Sequence, residues 1–208
     1  MKITEMLLTP SLYTRQQTKI NVTKIAVHYV GNPGSSALAN RNYFESLSKS
    51  KTTKASSHYI IGLDGEIIRC IPENEQSICT NSANPYSISI ECCHPDATGK
   101  FREATYNALV ELCADICKRH KLNPLTDIIR HYDVTRKICP KWFVNNPKEW
   151  ELFKAKVDTI LNTEMTFEQA MKIVSERVNT PLSFWLRKKD IDPAFPALII
   201  KIAKVMEG

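Results

Sequence analysis

Apolar positions recur along this chain at two spacings, and each predicts an element. "KIAVHYV" (24–30) is a short, nearly unbroken apolar run rich in β-branched residues, the pattern of a buried strand. Period two sets His28 on the face opposite Val27 and Tyr29. "YSISIECC" (86–93) alternates instead, so Ser89, Glu91 and Cys93 share one face. Between them, "SSHYIIGL", the pair Asp64-Gly65 and "EIIRCI" carry the strongest hairpin signal in the chain. "DIIRHYD" (127–133) predicts a last short strand that delivers His131 at its C-terminal end.

Other stretches follow the helical period. "SSALANRNYFESL" (35–47) has a serine available as N-cap. Residues 103–120 place Tyr106, Leu109, Val110, Cys113, Cys117 and His120 on one stripe, an amphipathic helix to cover a sheet. Asn146-Pro147 opens a further helix striped by Trp150, Phe153, Val157 and Ile160. Strands alternating with helices predict an α/β domain over residues 1–162, a central sheet flanked by helices. A second start follows at "TFEQ", where Thr166 and Gln169 fit a capping box. Residues 163–208 therefore predict a small all-helical module, with "ALIIKIAKVM" as its last helix.

Composition narrows the class. With 208 residues, 43% hydrophobic and 24% charged, the chain has enough apolar content for a sizeable core. The net charge of +6 is spread along the chain, which favours an anionic partner such as a cell-wall polymer. No basic stripe with interleaved aromatics is present, so nucleic acid is not the expected partner. Seven cysteines, an odd number and several in apolar runs, predict reduced thiols made in a cytosol. The N-terminus reads as neither a signal peptide nor a membrane span, and no later stretch is long enough to span. The expectation is a protein held in the cytoplasm until something releases it.

The chemistry concentrates in "HYDVTRKICPKWF" (131–143), where a histidine and a cysteine lie eight residues apart with Lys137 between them. Zinc favours imidazole and thiolate, and a catalytic zinc site uses three protein ligands. His131 and Cys139 supply two such groups, and His28 at a strand end is the best-placed third. On spacing alone a strand histidine is more often structural than a ligand.

Four blocks, "IAVHYVGNPGSSALANRNYFESL", "SSHYIIGLDGEIIRCIPENE", "ISIECCHPDATGKF" and "IIRHYDVTRKICPKWF", resemble the zinc-dependent N-acetylmuramoyl-L-alanine amidase family. That family includes phage endolysins, bacterial amidases and the peptidoglycan recognition proteins of animals. The likeness runs in order from about residue 9 to 155. It implies the mixed-sheet α/β fold of peptidoglycan recognition proteins. It also implies Zn2+ on His28, His131 and Cys139, with Lys137 stabilising an oxyanion and Glu91 as general base. The implied reaction is hydrolysis of the amide between N-acetylmuramic acid and L-alanine in bacterial peptidoglycan, by a phage or prophage endolysin. Some phage relatives use a hairpin tyrosine as the base, and the matching region here reads Ser57-His58-Tyr59.

Several alternatives stay open on the sequence. Glu91 is also readable as a salt-bridged strand residue, Lys137 as a solvated loop lysine, His58 as a supporting or substrate-contact group, and His94 and His120 as structural or surface residues. A Cys139–His131 pair would suit a cysteine hydrolase. A non-catalytic peptidoglycan-binding module is the alternative from another class, although such relatives typically lose the cysteine that Cys139 matches. The tail resembles short helical modules that follow the catalytic domain in some lysins, through "FWL" and "PALIIKIA". A helical cap on the catalytic domain or a dimer contact explains it equally well.

Overall fold

The computed structural model describes residues 1–163, 166–179, 181, 183 and 194–207. Contacts divide the chain into two compact units, Met1–Asp158 and Thr159–Gly208.

The first unit is built on six strands: β1 (Ile3–Glu5), β2 (Lys24–Tyr29), β3 (Tyr59–Ile61), β4 (Ile67–Arg69), β5 (Ser87–Cys92) and β6 (Ile128–Arg130). Their order across the sheet is β1-β4-β3-β5-β2-β6. Only β3 and β4 run antiparallel, so the sheet is mixed. The hairpin turns at Asp64-Gly65, where Gly65 has φ +84° and a Cβ would meet Ala104 O at 2.9 Å. Only glycine suits that position.

Helices cover the sheet: α1 (Ala37–Ser50), α2 (Glu103–His120) and α3 (Pro124–Asp127), then α4 (His131–Thr135), α5 (Lys141–Asn145) and α6 (Pro147–Thr163). Ser36 caps α1 by accepting from Ala39 N–H at 3.2 Å. Phe44 and Leu47 of α1 pack with Ile60 and Ile68 of the sheet. The stripe predicted on α2 is buried at Leu109, Val110, Cys113 and Cys117, joined by Leu112 and Ile116. Each such aliphatic side chain contributes about 1.5–3 kcal/mol by leaving water.

Register explains where the site lies. Ile60 pairs with Glu91, and Glu91 pairs with His28, so three residues form one row across three strands. Paired residues on neighbouring strands point to the same face. Helix α1 covers the apolar end of that row at Ile60. The polar end, Glu91 and His28, is left to a cleft.

One sequence expectation is corrected. Residues 127–133 do not form one strand: β6 stops at Arg130, and His131 is the first residue of α4. The cause is Asp133, whose carboxylate accepts from Arg130 N–H at 2.8 Å and starts a helical turn. Short elements without a strong apolar period, β1, α3 and α5, were not predicted.

Opposite the site face, Tyr59 donates to Glu73 at 2.6 Å, and Arg119 and His120 bind the same carboxylate. Burial alone would raise the Glu73 carboxyl, but hydrogen bonds from Arg119, His120 and Tyr59 outweigh it and bring it from 4.5 to about 2. A carboxylate depressed in the folded state stabilises it above the unfolded value and loses that contribution as pH falls. The window here is therefore pH 4.5 down to 2, and the contribution is on the order of 3 kcal/mol. Urea unfolding across that window should show Glu73→Gln with a shallower acid dependence than the parent. Superimposable acid profiles would remove Glu73 as the cause.

The second unit contains α7 (Phe167–Arg177) and α8 (Phe195–Glu207). Thr166 and Gln169 form the reciprocal capping box, at 3.1 and 2.9 Å. Ala170, Met171 and Val174 of α7 pack on Ile199 and Ala203 of α8. The "FWL" segment, with Phe184 and Trp185, lies outside the described residues. Among the described residues, no helix is long and apolar enough to cross a membrane.

Candidate active site

The site forms where β2 and β5 end and the α4 loop folds back. Arg136 takes a left-handed conformation, φ +65°, and its N–H closes α4 on Tyr132 O at 2.9 Å. The chain then reverses, and Tyr132 N–H donates to Cys139 O at 2.9 Å. That bond returns Cys139 beside His131, eight residues earlier.

His28 sits between them. Its Nδ1 is 3.8 Å from Cys139 Sγ, and its ring centroid is 4.7 Å from that of His131. Ligand atoms of His28, His131 and Cys139 all lie within 4.8 Å of one another. Two ligands on one tetrahedral zinc stand about 3.5 Å apart, so the 3.8 Å contact already has nearly the required spacing. All three residues are buried.

The protonation states suit a metal. Burial first, then the charges of His131 and Lys137, hold His28 well below its ordinary value. Burial and Lys137 lower His131 as well. Both rings are thus neutral, with lone pairs free to donate. Burial and Glu91 push the Cys139 thiol up to about 12, against smaller opposing effects from Tyr29 and Lys137. This thiol would give up its proton only to a strong cation, so metal uptake releases a proton.

His28 is oriented from behind. Its Nε2 lies 2.9 Å from Thr80 Oγ1, and Thr80 Oγ1 lies 2.9 Å from Ser89 Oγ. Such outer contacts fix the tautomer and leave Nδ1 for the metal. Thr80 was not singled out from the sequence. The only cue was the turn-forming composition of "CTNSANP" around it.

Glu91 and Lys137 complete the cluster. Both line the same cleft of about 380 Å³ as His28, His131 and Cys139. Burial pushes the Glu91 carboxyl up from 4.5 to about 7, partly offset by a hydrogen bond from Cys79 and by the Lys137 charge. Its Oε2 is sealed from solvent and has no hydrogen-bond partner among the described residues. The salt-bridge reading of Glu91 therefore has no partner to rest on. Lys137 is exposed and makes no ion pair among the described residues.

Other sequence candidates fall elsewhere. His58 is fully buried, and its Nδ1 accepts from Ser89 N–H at 2.9 Å while Nε2 lies 2.7 Å from Glu75 O. With both nitrogens engaged, it braces strands, as a supporting group would. Tyr59 is turned to the Glu73 side. His94 bridges Asp96 O and Val30 O, at 2.7 and 2.8 Å.

Against known proteins, the profile for N-acetylmuramoyl-L-alanine amidase matches residues 17–142, which contain five of the six strands and every residue of the cluster. The chain belongs to this amidase family. Among curated proteins it is 36% identical over 177 residues to the N-acetylmuramoyl-L-alanine amidase CwlL of Bacillus licheniformis. It is 32% identical over 166 residues to the amidase BlyA of Bacillus subtilis strain 168. These alignments cover 78% and 70% of this chain but 48% and 44% of the relatives, so the chain matches about half of their length. Among solved structures, the catalytic domain of XlyA superposes with a TM-score of 0.63 at 26% identity, over 76% of this chain and 99% of that one. A mutant endolysin from Bacillus subtilis gives 0.63 at 27% identity, over 75% and 98%. The family's fold is the mixed sheet with flanking helices seen here.

Proposed function

We propose that this chain hydrolyses the amide bond between N-acetylmuramic acid and L-alanine in bacterial peptidoglycan, with zinc held by His28, His131 and Cys139. The observation that carries the reading is the convergence of five residues, from β2, β5 and the α4 loop, on one cleft. Likeness to proteins described as amidases and endolysins supports the same reaction and an endolysin role.

Bound there, zinc would polarise the scissile carbonyl and make water a better nucleophile near neutral pH. Glu91, a buried carboxyl near 7, takes the proton of the attacking water and returns it to the leaving amine. Lys137 brings an unpaired ammonium to the cleft and hydrogen-bonds the oxygen on which negative charge grows. The buried walls of the cleft keep those interactions strong by excluding water. A purely structural zinc would want a fourth protein ligand, and the described cluster supplies three. A non-catalytic wall-binding role would leave a buried carboxylate and a free cation beside the metal without a use.

Digestion of purified peptidoglycan decides the matter. Mass spectrometry of the products should find stem peptides beginning with free L-alanine and glycan strands with free lactyl groups. New reducing ends alone, or no products, would sink the amidase reading.

Residues 1–162 are proposed as the catalytic part and 163–208 as a helical module for the wall. The tail has seven Lys/Arg against six Asp/Glu, a net +1, so attachment through it would rest on apolar groups. A chain ending at Asn162 should bind zinc and cut a soluble muropeptide, yet clear intact cells more slowly. Equal clearing by both forms would exclude the wall-binding role.

A further inference from the structure

Cys79 lines the cleft, and the proposed reaction does not use it. It sits on the loop that crosses the site face. Its N–H donates to Asn84 Oδ1 at 3.0 Å, beside that of Thr80 at 2.6 Å, so the loop is pinned at this point. Its Sγ lies 3.5 Å from Glu91 Oε1. Donor atoms of His28, Cys79 and Glu91 lie within 4.8 Å of one another, a second trio that shares His28 with the first. The other Glu91 oxygen is sealed and unpartnered among the described residues, so hydrogen bonds leave this carboxylate unsatisfied.

A thiol and a carboxylate at 3.5 Å have the separation of two ligands on one tetrahedral cation. We propose that Cys79 and Glu91 form a second, inhibitory site for a soft divalent cation, zinc or cadmium, beside the His28–His131–Cys139 centre. His28 is committed to that centre, so the second cation takes two ligands from the protein and fills its other positions with water. Fewer ligands make it the weaker site, filled after the first. On binding, the Cys79 thiol loses its proton to solvent, and the thiolate and carboxylate together neutralise the dication. That neutrality offsets repulsion from the positive centre next door. Magnesium and calcium prefer all-oxygen surroundings and should not compete. With its carboxylate engaged by metal, Glu91 is no longer free to accept a proton. Inhibition therefore rests on the role proposed for Glu91, whereas binding at Cys79 does not.

Cadmium titration of the full chain reads the binding directly, through the ultraviolet thiolate-to-cadmium charge-transfer band. The parent should show two steps, Cys139 first and Cys79 second. Cys79→Ser and Cys79→Ala should keep the first step, which reports an intact centre, and lose the second. In parallel, each protein's hydrolytic rate is followed as zinc is raised beyond one equivalent, relative to its own rate at one equivalent. The parent should lose at least about tenfold, and both variants should require at least about tenfold more free zinc for the same loss. A parent with no second thiolate step, or variants that keep it, would overturn the site. Two clean steps without inhibition would overturn the inhibitory role, while the role of Glu91 as base is tested separately by its own substitution.

Discussion

His131→Ala and Cys139→Ser should each abolish stoichiometric zinc and, with it, hydrolysis of cell walls. Purified parent protein is expected to carry about one zinc per chain at the first centre, and dialysis against a weak chelator should strip the variants but not the parent. The magnitude follows from geometry. The three donors are already gathered within 4.8 Å, so the folded chain spends little to assemble the centre. Removing one leaves two ligands and a gap that only water can fill. Losing a contact behind a ligand typically costs about 10- to 100-fold in metal affinity, and losing a ligand outright should exceed that. Thr80→Val provides the milder control. It removes the hydroxyl 2.9 Å from His28 Nε2 while keeping the shape of the side chain. Its zinc affinity should fall within that 10- to 100-fold range. If His131→Ala retained a full equivalent at parental affinity, the cation would have to sit elsewhere.

Most of this arrangement was legible in the sequence because its elements carry strong periodic signals. The apolar run of β2 and the alternation of β5 fixed which side chains share a face, and Asp64-Gly65 fixed the hairpin between them. Those facts alone put His28 and Glu91 on the sheet. Their pairing in register was not legible, because register follows from strand order and no local pattern states it. His131 was assigned to the wrong element for a related reason. Three apolar or long residues before it look like a continuing strand, whereas one carboxylate, Asp133, redirects the backbone into a helix. The return of Cys139 to His131 depends on a single backbone hydrogen bond from Tyr132, which leaves no trace in composition. Thr80 and Cys79 escaped notice because their loop has no periodicity. Only packing across the sheet brings them to the cleft, 52 and 12 positions away from His28 and Glu91 respectively. The resemblance supplied roles for five residues, and the cleft gives those roles a common place.

Glu91→Gln should keep zinc and the fold while losing most of the hydrolytic rate. The amide is close to the carboxyl in size and can still accept a hydrogen bond from Cys79, now 3.5 Å from Oε1. What it lacks is basicity. Burial lifts this carboxyl above its ordinary value, towards the range in which one group serves first as base and then as acid. General acid–base groups typically contribute about a hundred- to ten-thousand-fold, and the loss should fall in that range in turnover on a soluble muropeptide. Lys137→Met separates the second role. Removing a donor to a developing oxyanion typically costs about a hundred- to a thousand-fold in turnover, with zinc content unchanged because the ammonium is not a ligand. Zinc measured alongside rate distinguishes both variants from the ligand substitutions, which lose metal and rate together. Parental turnover in Glu91→Gln would show that its buried carboxylate takes no part in proton transfer. Neither hairpin residue would then be a ready replacement, since His58 is engaged at both ring nitrogens and Tyr59 is bonded to Glu73.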